Sequence, residues 1–172
     1  MQVEKQVSPG MQQVADLVEK IQTGMLTTED KAGLLVSRPM QALHMDADGS
    51  IWFFTNARSA KSQQLQRVNL SFVNKDDSDY LSLTGSAELL SDRAKIDQLW
   101  STMAKPWFPA GKDDPDLALL RVAVKTAEVW DATDSTMVRL LAMAAAATTG
   151  QPNAVLQGDH TLINNSAGRT TH

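Results

Sequence analysis

Trp52-Phe53-Phe54-Thr55-Asn56-Ala57-Arg58-Ser59-Ala60-Lys61-Ser62 carries an apolar stretch straight into a hydroxyl, an amide, a serine and a lysine. The aromatics favour a pleated, partly buried strand, and Ala60 through Arg67 is built from good helix formers. Ser59 sits where an N-cap would stand, which leaves the amides of Ala60, Lys61 and Ser62 without intrahelical acceptors. Such amides attract an anion, and the Lys61 ammonium adds a full charge at the same place. The run therefore predicts a phosphate-binding strand-to-helix junction. A strand, a loop and a capped helix also occur in domains that bind no phosphate.

Upstream, Ser37-Arg38-Pro39-Met40 reads as strand, and Asp46-Ala47-Asp48-Gly49-Ser50 has the length and composition of a hairpin turn. Strands near 34–45 and 51–55 are thus expected to pair. Arg38 would then share a pocket with the junction, its planar fork complementing the point charge of Lys61. A surface salt bridge is the competing reading of Arg38. Pro39 predicts an edge or a bulge at that point.

The chain has 172 residues, 42% of them hydrophobic, enough for one domain with a substantial core. It contains no cysteine, which excludes disulfides, thiol catalysis and cysteine metal sites. Its three histidines, His44, His160 and His172, form no cluster in the sequence, so no metal site is expected. A net charge of −4 argues against nonspecific nucleic-acid binding, which depends on a basic surface. A polar start and the lack of a long apolar run lead to the expectation of a cytoplasmic protein without a membrane segment.

Ser8 and Pro9 open a helix to Ile21 with Val14, Leu17, Val18 and Ile21 on one face. A first strand is expected over 24–28 and another over 70–74. Tyr80 to Leu90 alternates with period two, and Gly85 in its middle predicts a bulge or the close approach of another backbone. Ser91 is read as the cap of a helix whose Ile96, Leu99, Trp100 and Met103 form a core stripe. Leu119 to Asp131 reads as the last strand, followed by a closing helix to Ala147. Residues 148–172 hold no aromatic and are expected to form a flexible polar tail, leaving 1–147 as the folded domain. Hairpin-linked strands with few helices predict an α+β antiparallel barrel or strongly bent sheet with peripheral helices.

These segments, with Leu83-Thr84-Gly85-Ser86-Ala87 in the expected order, give a sequence that resembles the pyridoxamine phosphate oxidase-like split-barrel flavoproteins. Leu99-Trp100, Trp107-Phe108-Pro109-Ala110-Gly111-Lys112-Asp113-Asp114-Pro115 and Glu128-Val129-Trp130-Asp131 look like its bacterial general stress protein branch. The resemblance spans residues 10 to 147. It implies a six-stranded split barrel forming a homodimer, with FMN, or FAD as the alternative, at the subunit interface. It further implies that Arg38, Ser59, Lys61 and Ser62 contact the phosphate, that Phe54 and Thr55 border the ring, and that Met40 lies near it. Where relatives carry a second basic residue before the lysine this chain has Ala60, so Arg58 is the substitute considered.

Trp107 and Trp130 are candidates to close over the flavin, core or dimer packing being the other reading. The vitamin-processing oxidases end in a basic substrate-binding strand; Arg169 and His172 match no such strand, so pyridoxamine phosphate oxidation is not expected. The expectation is a flavin-binding stress protein, either an FMN-dependent oxidoreductase of low turnover or a noncatalytic binding or sensing module. Deazaflavin or haem is the remaining ligand alternative, and His44 is the histidine inside the fold that haem would need.

Overall fold

The computed structural model describes residues 1–60, 63–130 and 160–165. The elements are β1 (Gln2–Val3), α1 (Pro9–Ile21), β2 (Thr23–Asp30), β3 (Leu35–Met45), β4 (Ser50–Asn56), α2 (Ala57–Ala60), β5 (Gln63–Asn74), β6 (Asp79–Leu90), α3 (Arg93–Leu99), β7 (Leu117–Trp130) and β8 (His160–Asn164). Short 3-10 turns at Thr102–Ala104 and Gly111–Asp113 punctuate the connection from α3 to β7.

Six strands close an antiparallel barrel in the order β3-β2-β5-β6-β7-β4, and the pairing of β4 back onto β3 completes the ring. This is the split-barrel architecture. β1 adds in parallel to β3, and β8 pairs antiparallel with the far half of β7. Strand alternation sends one side chain in two to the interior, where Leu26, Met45, Ile51, Phe53, Leu70, Phe72, Leu81 and Leu83 are fully buried. Each such side chain contributes about 1.5–3 kcal/mol relative to its exposed state.

α1 plugs one side of this core. Ser8 Oγ accepts from the Met11 N–H at 3.2 Å, Pro9 fills the first helical position, and Met11, Val14, Ala15, Leu17 and Val18 are buried. Lys20 in the last turn reaches the buried Asp79 carboxylate at 2.9 Å, fastening the helix to the β5–β6 hairpin. A second apolar cluster lies on the other face of β4, where Trp52 packs with Ile96, Phe108, Leu117 and Leu119.

Gly85 has both features its sequence suggested. The β6–β7 register shifts between Thr84 and Gly85, and a Cβ there would stand 2.1 Å from the Ala123 carbonyl oxygen. The turn over 46–50 holds Gly49 at φ 84°, a conformation that favours glycine.

Several expectations are corrected. The helix predicted from Ala60 to Arg67 is limited to four residues, and by Gln63 the chain is already in β5, because pairing with β2 and β6 overrides local helix preference. The first strand runs to Asp30, and the long last barrel strand begins at Leu117 and ends at Trp130. α3 is capped by Asp92, whose Oδ1 accepts from the Lys95 N–H at 3.0 Å, rather than by Ser91. The stretch expected as a flexible tail contains β8, whose Ile163 is 8% exposed and packs on α1 at Gly10. The predicted closing helix to Ala147 and the rest of the tail lie outside the described residues. Among the described residues no helix is long and apolar enough to cross a membrane.

Candidate functional site

The split in the barrel forms where β3 and β4 part. Their pairing covers Ala42 with Phe53, His44 with Trp52 and Met45 with Ile51, with an irregularity between the first two pairs. Beyond Ala42 and Phe53, β3 continues on β2 and β4 continues on β7. Extending the Ala42–Phe53 register across the gap sets Met40 against Thr55 and Arg38 against Ala57. One lip therefore carries Arg38 and Met40, and the other carries Thr55, Asn56 and α2.

On β3 the inward positions are Arg38, Met40 and Ala42 and, past the irregularity, Met45, whereas His44 pairs with Trp52 on the other face. A guanidinium at such a position is costly unless an acceptor meets it. Arg38 is half-buried, and its Nη2 is buried with no hydrogen-bond partner among the described residues. Burial pulls its pKa below the ordinary arginine value, although the group keeps its charge at neutral pH. A guanidinium with a spare donor where two strands part is chemically suited to an anionic oxygen. Met40 is 8% exposed and Thr55 is 7% exposed, so both line the interior side of the same opening.

Phe54 points the other way. Strand alternation puts its ring on the outer face of β4, 5.7 Å from the Trp100 ring centroid and 6.3 Å from that of Phe108 in an edge-on contact. Its side chain belongs to the second cluster, so only its backbone borders the split. In the sequence, the Trp100 and Phe108 side chains that fix this face belong to a core stripe and to a family motif, and no periodicity links them to Phe54.

The α2 junction differs from the sequence reading. Asn56, not Ser59, is the cap: its Oδ1 accepts from the Arg58 N–H at 2.9 Å and the Ser59 N–H at 3.3 Å, and Ser59 Oγ donates to the Asn56 carbonyl at 3.0 Å. A four-residue helix whose leading amides are already engaged supplies little field for an anion. Arg58 is also committed elsewhere, since its Nε donates to Asp116 Oδ1 at 2.8 Å and its side chain is largely exposed. Lys61 and Ser62 lie outside the described residues.

The two tryptophans are not brought to the lips within one chain. Trp107 is 74% exposed in the loop after α3. Trp130 ends β7 opposite Tyr80, whereas Ala118, the partner of Thr55, stands near the start of that strand. About 40 Å of strand contour separates the two ends. His44, the histidine that haem ligation would need, lies further along β3 with Nε2 beside the Glu4 and Asp46 carboxylates rather than at the split. At the same place β1 brings Glu4 to that histidine, a meeting of carboxylates and imidazole that the spacing of the histidines does not show.

A family model described as pyridoxamine 5'-phosphate oxidase like matches residues 10–153. Protein bli-3 of Neurospora crassa is 30% identical over 144 residues, covering 76% of this chain and 69% of its own. General stress protein 26 of Bacillus subtilis is 28% identical, with 75% of this chain and 94% of its own covered. Among solved structures, a Clostridium acetobutylicum protein related to general stress protein 26 superposes with a TM-score of 0.65, covering 90% of this chain and 93% of its own at 21% identity. The general stress FMN/FAD binding protein of Xanthomonas citri gives a TM-score of 0.57 at 34% identity, covering 67% of this chain and 83% of its own.

Proposed function

The chain belongs to the pyridoxamine 5'-phosphate oxidase-like family, and from that membership we propose that it is a flavin-binding general stress protein holding FMN by its phosphate at Arg38. The observation that carries this reading is the buried Arg38 Nη2, without a partner among the described residues, on the inward face of β3 at the barrel split. Met40 and Thr55 would bound the ring system there, with Lys61 and Ser62 completing the anion site. FMN is preferred over FAD because the feature recognised is a terminal phosphate. The likeness to a general stress FMN/FAD binding protein supports the flavin class as a whole.

We place the flavin where two copies meet. Val73, Tyr80 and Trp130 stand in cross-strand register on β5, β6 and β7, with Val73 54% and Tyr80 45% exposed. Leu34, Leu35 and Val36 are exposed at the β2–β3 turn, beside the lip that carries Arg38. Apolar surface of this extent is commonly a protein contact. A second copy would also give Trp107 and Trp130 a route to the flavin that one chain does not provide.

Bound flavin supplies reversible hydride and electron transfer. What the chain supplies is binding, orientation and exclusion of water. The side chains named at the lips include no carboxylate, imidazole or thiol, which favours a binding protein, or a reductase that adds no proton donor of its own.

The test is the visible spectrum of gently purified protein, followed by assays with NADH and NADPH and by sedimentation velocity. A yellow dimer with FMN released on denaturation is expected. Turnover with either donor would identify an oxidoreductase, and its absence a flavin-binding module. A colourless monomer that takes up no FMN would contradict the proposal.

A further inference from the structure

At the end of β3 opposite the split, His44 is 4% exposed, and neither of its ring nitrogens makes an aligned hydrogen bond among the described residues. Its Nε2 nevertheless lies 3.1 Å from Asp46 Oδ1 and 3.4 Å from Glu4 Oε1. One distant pairing and one local turn make this cluster. The parallel pairing of Gln2 with His44 and Val3 with Met45 lays β1 along β3. The Glu4 N–H donates to the Met45 carbonyl at 2.9 Å, and the tight turn after β3 returns Asp46 to the same spot.

Both carboxylates are held by their outer oxygens. Glu4 Oε2 accepts from the Ala47 N–H at 3.0 Å, and Asp46 Oδ2 accepts from the Trp52 indole N–H. Gln6 Nε2 adds bonds to the Glu4 carbonyl at 2.7 Å and the Asp46 carbonyl at 3.0 Å. The inner oxygens, Oε1 and Oδ1, are thereby both turned toward Nε2. Fixed outer partners orienting inner ligand atoms are what metal sites require.

A Zn²⁺ ion bound at about 2.0–2.1 Å to nitrogen and oxygen in a tetrahedral shell separates its ligand atoms by about 3.3 Å. The two observed separations, 3.1 and 3.4 Å, bracket that edge length. A cation between these atoms would also satisfy a buried imidazole nitrogen that two nearby oxygens leave without an aligned partner. The geometry points to a binding site for a first-row divalent metal ion, Zn²⁺ in particular, formed by Glu4 Oε1, His44 Nε2 and Asp46 Oδ1.

The imidazole favours such an ion over Ca²⁺ or Mg²⁺, which take oxygen ligands. Glu4, with its side chain 52% exposed, gives solvent access to the remaining coordination position. Lys95 opposes the ion: its Nζ is 3.3 Å from Asp46 Oδ1 and 4.9 Å from the Trp52 ring centroid. The bound ion would clamp β1 onto the barrel.

Calorimetric titration of metal-stripped full-length protein with Zn²⁺ tests the assignment, in a background where His160 and His172 are replaced by Gln so that they add no sites. One Zn²⁺ per chain is expected, weakened at least about tenfold by His44→Gln and by Glu4→Gln. Glu4 is exposed, so its variant keeps the fold if the buried histidine variant does not. Lys95→Met should tighten binding, and Co²⁺ in place of Zn²⁺ should give a visible ligand-field band in the wild type that Glu4→Gln abolishes. No binding in the wild type, or the same affinity in Glu4→Gln, would overturn the site.

Discussion

Arg38 and Asp48 show how differently a charge can be used in this small barrel. Arg38 is a cation facing inward with a donor unspent among the described residues, a cost that the flavin phosphate proposed above would offset. Asp48 is an anion whose neighbours are all in place. Its partial burial pushes the carboxyl pKa up, but the Ser50 N–H at 2.8 Å and the Arg121 guanidinium at 2.7 Å outweigh that and hold it below the ordinary carboxylate value. A carboxyl with a depressed folded-state pKa adds stability above its unfolded value and loses it as pH falls through the folded one. Asp48→Asn is therefore expected to lower the melting temperature at neutral pH. The gap from the wild type should narrow on acidification through the carboxylate range, as calorimetry across pH would show. A gap that widened in acid would be inconsistent with that linkage.

At the scale of elements, legibility followed the strength of the local pattern. α1 was readable from its cap, its proline and its apolar stripe, and β6 from its alternation. The β3–β4 hairpin was readable from its turn. β5 was not, because Gln63-Gln64-Leu65-Gln66-Arg67 is locally helix-forming and becomes strand only through its neighbours. The junction after β4 was read as a helix start with Ser59 as its cap, whereas Asn56 takes that place one turn earlier. β8 is not legible, since a five-residue strand in a polar stretch carries almost no period. Its contribution is measurable. Ile163 is buried against α1, so Ile163→Ala should cost about 2–5 kcal/mol in denaturant unfolding, while a tail without packing would leave stability unchanged.

For the whole molecule, the site is a consequence of closure. Arg38 and Thr55 are 17 positions apart in sequence, and their approach depends on β3 switching partners from β4 to β2 where the barrel splits. The sequence supplied both residues, and the register supplied the cleft between them. What it could not supply was the direction of Phe54, the ion pair that occupies Arg58, or the meeting of Glu4 with His44, each of which depends on contacts between distant elements. On the function proposed above, a flavin is gripped by its phosphate at Arg38. Parallel fluorescence titrations of wild-type protein and Arg38→Ala with FMN and with riboflavin, which lacks the phosphate, test it most directly. Arg38→Ala should weaken FMN by about 1.5–3 kcal/mol, roughly 10-fold to 150-fold, and leave riboflavin affinity unchanged; equal FMN affinity in the two proteins would contradict the account.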